Sequence, residues 1–482
     1  MPAPRLMEPG IAENRCCVAY PRIVPVSRLD LAIRGGRVFD AGVADIGVAG
    51  GRIAQIGGEF EAVTNVEAAG KLVLPGGVDA HVHLSNPPRE AHGPRWVDDF
   101  RSGSAAALAG GITTIGNMTF GADGESPLEA LQREAAAAEG QSMCDLFLHP
   151  VIGDPDPRAL DDILHLLEHG HSSIKIFLSS PRFDPHIDAH VEAIRRAGAS
   201  GLLTMLHCED AALIAHATRR LVEAGQSSLQ HFPRSRPVVA EVAATQRAVA
   251  IAEMTGAPVY LVHVSSQRAL AVCAEARARG LPVYVETRPL YLHLTDEVFE
   301  RPECGRFVGQ PPLRSASDVA AMWAGLAQGL VDTVCTDHAP WSLQAKLDPD
   351  LSIERLRPGV ENLQLMLPML YSEGVRSGRI SLRRLVELTS SNAARLFGLY
   401  PGKGTIAVGS DADLVVFDPH LERTVTASML HSNADYSVYE GWRVSGWPTL
   451  TLRRGEIVFR DEQVVGLPGS GQVLACGPAG RP

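Results

Sequence analysis

No apolar run in this chain approaches the roughly 18 residues that a membrane-spanning helix needs. No block of basic residues interrupts its acidic balance either, with 44 Lys and Arg against 55 Asp and Glu and a formal charge of −11. The first lack argues against a membrane span. The second argues against nucleic acid as a partner, because phosphate-backbone affinity rests on clustered cations. None of the eight cysteines forms a C-x-x-C pair, and several sit inside apolar runs, which favours reduced thiols and a cytoplasmic setting. No apolar leader opens the chain, and no repeat of fixed period runs along it. A composition of 45% hydrophobic and 21% charged residues excludes disorder, collagen and coiled coil, leaving an ordinary globular protein.

The pattern along the chain divides it into four stretches. Residues 1–28 read as an N-terminal extension. Residues 29–76 hold short strands separated by glycine pairs, Gly35-Gly36 and Gly50-Gly51, each a hairpin signal. The same texture returns in residues 401–482, in Ala412-Asp-Leu-Val-Val-Phe and Thr449-Leu-Thr-Leu-Arg-Arg-Gly-Glu-Ile-Val-Phe. Neither end has enough strands to cover a sheet alone, so both are expected to combine into one small β-sandwich domain. Between them, over residues 77–400, apolar strands alternate with alanine-rich helical stretches, the signature of parallel strands and crossover helices. Ser126-Pro-Leu-Glu with Gly140, and Ser266 with Gly280, bracket helices by capping chemistry. About eight β/α units predict an α/β fold, a (β/α)8 TIM-type barrel.

Polar residues fall at the ends of the apolar runs. His81 and His83, two apart at the end of Leu72-Val-Leu-Pro-Gly-Gly-Val-Asp-Ala-His-Val-His, share one face of a strand. His207, His263 and Asp337 each close a further run. In a barrel such ends converge on one rim, where catalytic groups gather. Lys175 lies inside Ser173-Ile-Lys-Ile-Phe-Leu, where an ammonium is costly to bury. Desolvation favours its neutral amine, which can react with carbon dioxide to give a carbamate whose two oxygens are able to bridge two cations. A lone histidine at a strand end is ordinarily a packed residue; six metal-ligand side chains at five strand ends are not readily explained that way.

With Thr336-Asp-His-Ala-Pro, Ser391-Asn-Ala-Ala-Arg-Leu-Phe-Gly and Gly409-Ser-Asp-Ala-Asp-Leu-Val, these motifs resemble the amidohydrolase superfamily, closest to its hydantoinase and dihydropyrimidinase branch. The resemblance spans nearly the whole chain and implies a binuclear centre: His81 and His83 with Asp337 on the more buried ion, His207 and His263 on the second, and Lys175, as N6-carboxylysine, bridging both. Zinc is the expected metal, with manganese or cobalt as alternatives. A hydroxide between the two cations would open the ring of a small cyclic amide, imide or ureide, with Asp337 as general acid/base. A homodimer or homotetramer is implied, with the tail after Trp447 contributing contacts.

The substrate side departs from the family. Where hydantoinases place a tyrosine five residues after the lysine, this chain has Ser180. Gln310, in Phe307-Val-Gly-Gln-Pro-Pro, and Arg355 fall where the family supplies backbone contacts to the substrate. Arg89, His92 and Arg95 occupy a loop beside the expected site and read as solvated. Ser85 and Met118-Thr-Phe120 stand where dihydroorotases carry other residues, which argues against that enzyme and leaves allantoinase as the nearer alternative; a non-catalytic scaffold of the collapsin response mediator type would have lost metal ligands. Strand alternation aims Cys208 and His338 away from the metals. His149, His165, His169 and His171 read as surface groups.

Overall fold

The computed structural model describes residues 28–88 and 95–482. Arg89 and His92 lie outside the described residues. Five strands come first: β1 (Leu29–Val38), β2 (Gly42–Ala49), β3 (Arg52–Ile56), β4 (Ala62–Glu67) and β5 (Leu72–Pro75). Eight more follow: β6 (Gly77–Val82), β7 (Ile112–Thr119), β8 (Asp145–Pro150), β9 (Ser173–Phe177), β10 (Leu203–His207), β11 (Val259–Leu261), β12 (Val283–Thr287) and β13 (Thr333–Val334). Four more end the chain: β14 (Leu414–Thr424), β15 (Arg443–Arg453), β16 (Glu456–Arg460) and β17 (Gln463–Val464).

Strands β6 to β8 and β9 to β13 form two parallel arcs. Isolated parallel bridges, Val151 to Lys175 and Val82 to His338, join the arcs at both seams and close the ring of eight. The expected TIM-type barrel is therefore present. Its interior is packed with Val78, Ala80, Met118, Phe147, Leu203, Met205, Tyr260 and Val262, as layered inward side chains require. The outer helices start where capping chemistry puts them. Ser126 accepts from the Glu129 N–H and Glu129 answers on the Ser126 N–H, opening Pro127–Glu139; Ser266 caps Gln267–Ala278.

The terminal strands join one continuous sheet in the order β17-β16-β15-β14-β5-β1-β2-β3, with β4 also on β1. The two ends of the chain meet where β5 pairs with β14, Leu74 opposite Val415. Ile33, Val48, Val73, Leu414 and Leu450 share a core that neither end fills alone. Gly50-Gly51 makes the expected hairpin between β2 and β3. Gly35-Gly36 does not: it lies inside β1, which pairs with β4 up to Arg34 and with β5 from Arg37. Gly35 takes φ 66° there, and a Cβ on Gly36 would stand 2.5 Å from Val73. Glycine pairs serve a change of partner within a strand as well as a turn.

The C-terminal tail runs across the N-terminal ends of its own barrel strands. Leu146 donates to Gln472 O, Leu474 to Leu146 O, Cys476 to Gly170 O and Ala479 to Gly201 O. Leu474, Cys476 and Ala479 thereby pack onto the barrel interior, so this part of the tail covers the chain's own floor. The rim at the C-terminal ends of the strands is left open at the opposite end. No described helix is long and apolar enough to cross a membrane.

Candidate metal centre and active site

At the end of β6, where the register with β7 shifts between Asp79 and Val82, His81 and, just beyond the strand, His83 both turn to the rim. Asp79 accepts from the Thr336 N–H and Oγ1–H (2.6 Å) and from the His81 N–H, clamping the β6 end to the segment that carries Asp337. Burial pushes its pKa up to about 7 despite these donors. His81 Nδ1 lies 2.9 Å from Glu286 Oε1, which turns Nε2 toward Asp337 Oδ1 at 3.2 Å. His83 Nε2 reaches the same oxygen at 2.9 Å. The three residues thus offer one nitrogen, oxygen or nitrogen each within a 4.8 Å cluster of the size a metal ion needs. Asp337 takes φ 49° and His263 φ 42°, left-handed backbone in non-glycine residues. Each costs on the order of 1–3 kcal/mol and persists only where the surroundings enforce it.

Lys175 is fully buried in β9, and its Nζ has no hydrogen-bond partner. It lies 4.9 Å from the Phe177 ring centroid, and desolvation lowers its pKa to about 8. The neutral amine is therefore accessible near neutral pH. Across the mouth, His207 Nδ1 and His263 Nε2 face one another at 3.0 Å. His207 Nε2 is held by Glu209 Oε2 at 2.8 Å, and Arg236 grips that carboxylate with bonds of 2.6 and 2.9 Å. Behind them Arg314 donates to Arg236 O (2.7 Å) and to Ser265 Oγ (3.0 Å), while Glu241 takes the Ser265 N–H and hydroxyl. Burial would raise the Glu209 pKa, but Arg236 and His207 bring it down to about 2.

The six strand-end residues of the sequence reading are thus gathered at one rim. His338 turns away and pairs with Asp98 at 2.8 Å. His149 corrects the reading of it as a surface group: it is fully buried inside the barrel, between Ser173 Oγ (2.5 Å) and Ala80 O (3.0 Å), because β8 is covered on both faces. His171 is half-buried, whereas His165 and His169 are exposed as read.

On the substrate side, Ser180 sits in the turn after β9; its N–H goes to Phe177 O and its Oγ accepts from the Arg182 N–H. Gln310 follows a loop strapped from below by buried Lys346, which donates to Val308 O, Arg357 O and Gly359 O. The Arg355 side chain is instead 61% exposed and pairs loosely with Asp350 at 3.8 Å. Its surface turn, closed by Ser352, carries it outward. Trp96, Phe120 and Phe177 build an aromatic wall beside His83 and His207.

Sequence reasoning missed Asp79, Glu286, Glu209, Arg236 and Arg288. Asp79 and Glu209 stand two residues from His81 and His207, and that nearness in sequence is the signal that marks them. Glu286 and Arg288 flank the end of β12, the same signal that marks the histidines. Buried Arg288 places Nη1 3.0 Å from Asp337 Oδ2. Burial would raise the Asp337 pKa, but Arg288 and the two imidazoles hold it well below the usual carboxylate range.

The family model of the amidohydrolase family matches residues 72–458. The chain is 34% identical to D-hydantoinase of Rhizobium radiobacter over 452 residues, covering 92% of this chain and 98% of that protein. It is 37% identical over 412 residues to D-phenylhydantoinase of Escherichia coli, covering 85% and 88%. The solved structure of dihydropyrimidinase from Brevibacillus agri superposes with a TM-score of 0.88 at 33% identity, covering 94% of this chain and 99% of that one. A closed barrel with metal-ligand side chains on its C-terminal rim, matched over this length, defines the class: the chain belongs to the amidohydrolase family. Within that family it falls in the branch of the hydantoinases and dihydropyrimidinases, and it is an enzyme of the cyclic amidohydrolase type.

Proposed function

We propose that this enzyme opens the ring of a small cyclic amide, imide or ureide by hydrolysis at a binuclear metal centre. The observation that carries this is the convergence of His81, His83 and Asp337 within 4.8 Å, in a mouth that also holds a buried, unpartnered lysine amine. The donor set suits two divalent cations: imidazole nitrogens and a carboxylate oxygen are zinc, manganese or cobalt ligands. His81, His83 and Asp337 would hold one, His207 and His263 the other. Lys175 would join them as its carbamate, formed when the amine adds to carbon dioxide and releases a proton. When bound, the ions supply Lewis acidity, polarising the scissile carbonyl and activating a water near neutral pH.

The remaining work belongs to side chains. Water oxygen bonds to the carbonyl carbon, the ring C–N bond breaks, and the water's proton passes through Asp337 Oδ2 to the departing nitrogen. The strap made by Lys346 fixes the backbone of Val308 and Gly359 on either side of the proposed substrate loop. Ser180, Gln310 and Arg355 are the proposed substrate contacts; of these Arg355 has the least support, since its side chain lies in solvent. A smaller donor at Ser180 favours a preference for imides. The proposed division of the chain is extension 1–28, sheet 29–76 and 401–482, barrel 77–400, with assembly as a homodimer or homotetramer in the cytoplasm.

The test is a panel of hydantoins, dihydropyrimidines, allantoin, dihydroorotate, cyclic imides and lactams given to protein reconstituted with zinc, read by ring-opened product. Hydrolysis of at least one ring class, lost on chelation and restored by metal, is expected. No turnover with full metal occupancy would overturn the reading and favour a scaffold.

A further inference from the structure

Among the largest fully buried side chains is one that the chemistry above does not use. Arg288, the first residue beyond β12, is 0% exposed, and none of its three nitrogens has a partner in hydrogen-bond geometry. Such burial is expensive unless the charge is matched. The match is Asp337: Nη1 stands 3.0 Å from Oδ2, while Oδ1 faces His81 and His83. The two carboxylate oxygens are thus held from opposite sides, in a residue whose backbone is in the left-handed region.

The guanidinium also touches the substrate side. It lies 5.5 Å from the centroid of the Tyr291 ring, and the Tyr291 hydroxyl donates to Pro311 O at 2.7 Å. Gly309 packs so closely that a Cβ there would stand 3.2 Å from Nη1. Gly309 and Pro311 flank Gln310, and Lys346 straps the same loop through Val308 O. A single buried cation therefore sits between the proton-carrying oxygen and the loop proposed to meet the ring.

We infer that Arg288 is a positioning residue for the ring-opening reaction: it aims Asp337 Oδ2 at the reacting atoms and ties that aim to the placement of the Phe307–Gln310 loop. This rests on the function proposed above. The geometry separates the role from metal holding, since Arg288 meets only the oxygen that does not face the histidines. A misaimed group of this kind costs on the order of 100-fold in turnover without changing what is bound.

The experiment uses zinc-loaded Arg288→Met, Arg288→Lys and Gly309→Ala. Arg288→Met is expected to lower kcat about 100-fold with KM changed by less than about threefold, the pattern of a contact used only in the transition state. Zinc content should stay at the parental level. Arg288→Lys, a shorter cation, is expected to recover part of the loss, and Gly309→Ala, which presses on the guanidinium, to lower kcat more modestly. Crystals of Arg288→Met should show the Asp337 carboxylate rotated. A kcat within twofold of the parent, a rise in KM alone, or zinc lost in step with activity would overturn the inference. If no ring substrate is turned over by the parent, the proposed function fails, and an unmoved Asp337 in the Arg288→Met crystal would then overturn this inference separately; where that variant does not fold, Gly309→Ala and Arg288→Lys carry the same readouts.

Discussion

The two halves of the metal mouth are built differently. The half made by β6 and the Asp337 segment brings two imidazoles and a carboxylate together, and its supporting carboxylate, Glu286, has no arginine partner among the described residues; burial pushes the Glu286 pKa up to about 7. The half made by β10 and β11 has two imidazoles 3.0 Å apart and no acidic ligand of its own, and its supporting carboxylate, Glu209, is gripped by Arg236 and held at about 2. One half holds a candidate set of three ligands, anion included, on a soft support. The other holds two facing imidazoles on a hard one. The missing anionic ligand is what a carbamate on Lys175 would contribute, so the second ion should depend on that lysine far more than the first.

Lys175→Ala should show this most sharply. Activity is expected to fall by roughly 1,000-fold, since the Lewis acidity of an ion is worth several kcal/mol and about 1.4 kcal/mol is tenfold in rate. Metal analysis should find the second ion lost before the first; retention of both ions would break the comparison. Asp337→Asn is expected to lower kcat by roughly 100- to 10,000-fold, the range for a lost general acid/base, while moving the melting temperature little; equal loss of fold and turnover would make Asp337 structural. Glu209→Gln should weaken the second ion by about 10- to 100-fold, as second-layer carboxylates do, and leave the first nearly untouched in a chelator titration.

The smallest effect is a pH signature of the metal-free protein. Glu286 has a raised pKa, so its contribution to stability is full below the ordinary value of 4.5 and is lost as pH rises through about 7. Glu209 has a depressed pKa, so its contribution is present above 4.5 and is lost as pH falls through about 2. Melting curves at pH 8 should therefore show Glu286→Gln more stable than the parent and Glu209→Gln less stable. The same sign for both variants would erase the distinction between the supports.

How much of this is legible in the sequence follows from the same contrast. The four histidines and Asp337 are readable because they close apolar runs, Lys175 because it interrupts one, and barrel topology turns five strands into one rim. The joining of both termini is readable from strand counting. Glu286 and Arg288 end a strand too, but neither carries a motif of its own, and their roles depend on which nitrogen of His81 and which oxygen of Asp337 they face. The burial of His149 is not legible because a histidine inside an apolar run carries no mark of burial beyond the run itself. The packing of the tail under the barrel is illegible for another reason: it depends on close approaches such as Gly398 (φ 71°) against Gly477, visible only when distant segments meet. Arg355 shows the limit of position alone, since backbone placement does not say where a long side chain goes.

The most direct test of the account is a crystal structure of protein prepared with zinc and bicarbonate, read at the end of the Lys175 side chain. The account predicts a planar carboxyl group on Nζ lying between two metal peaks, one among His81, His83 and Asp337 and the other at His207 and His263. A bare amine beside a single ion or none, at full zinc and bicarbonate, would contradict it.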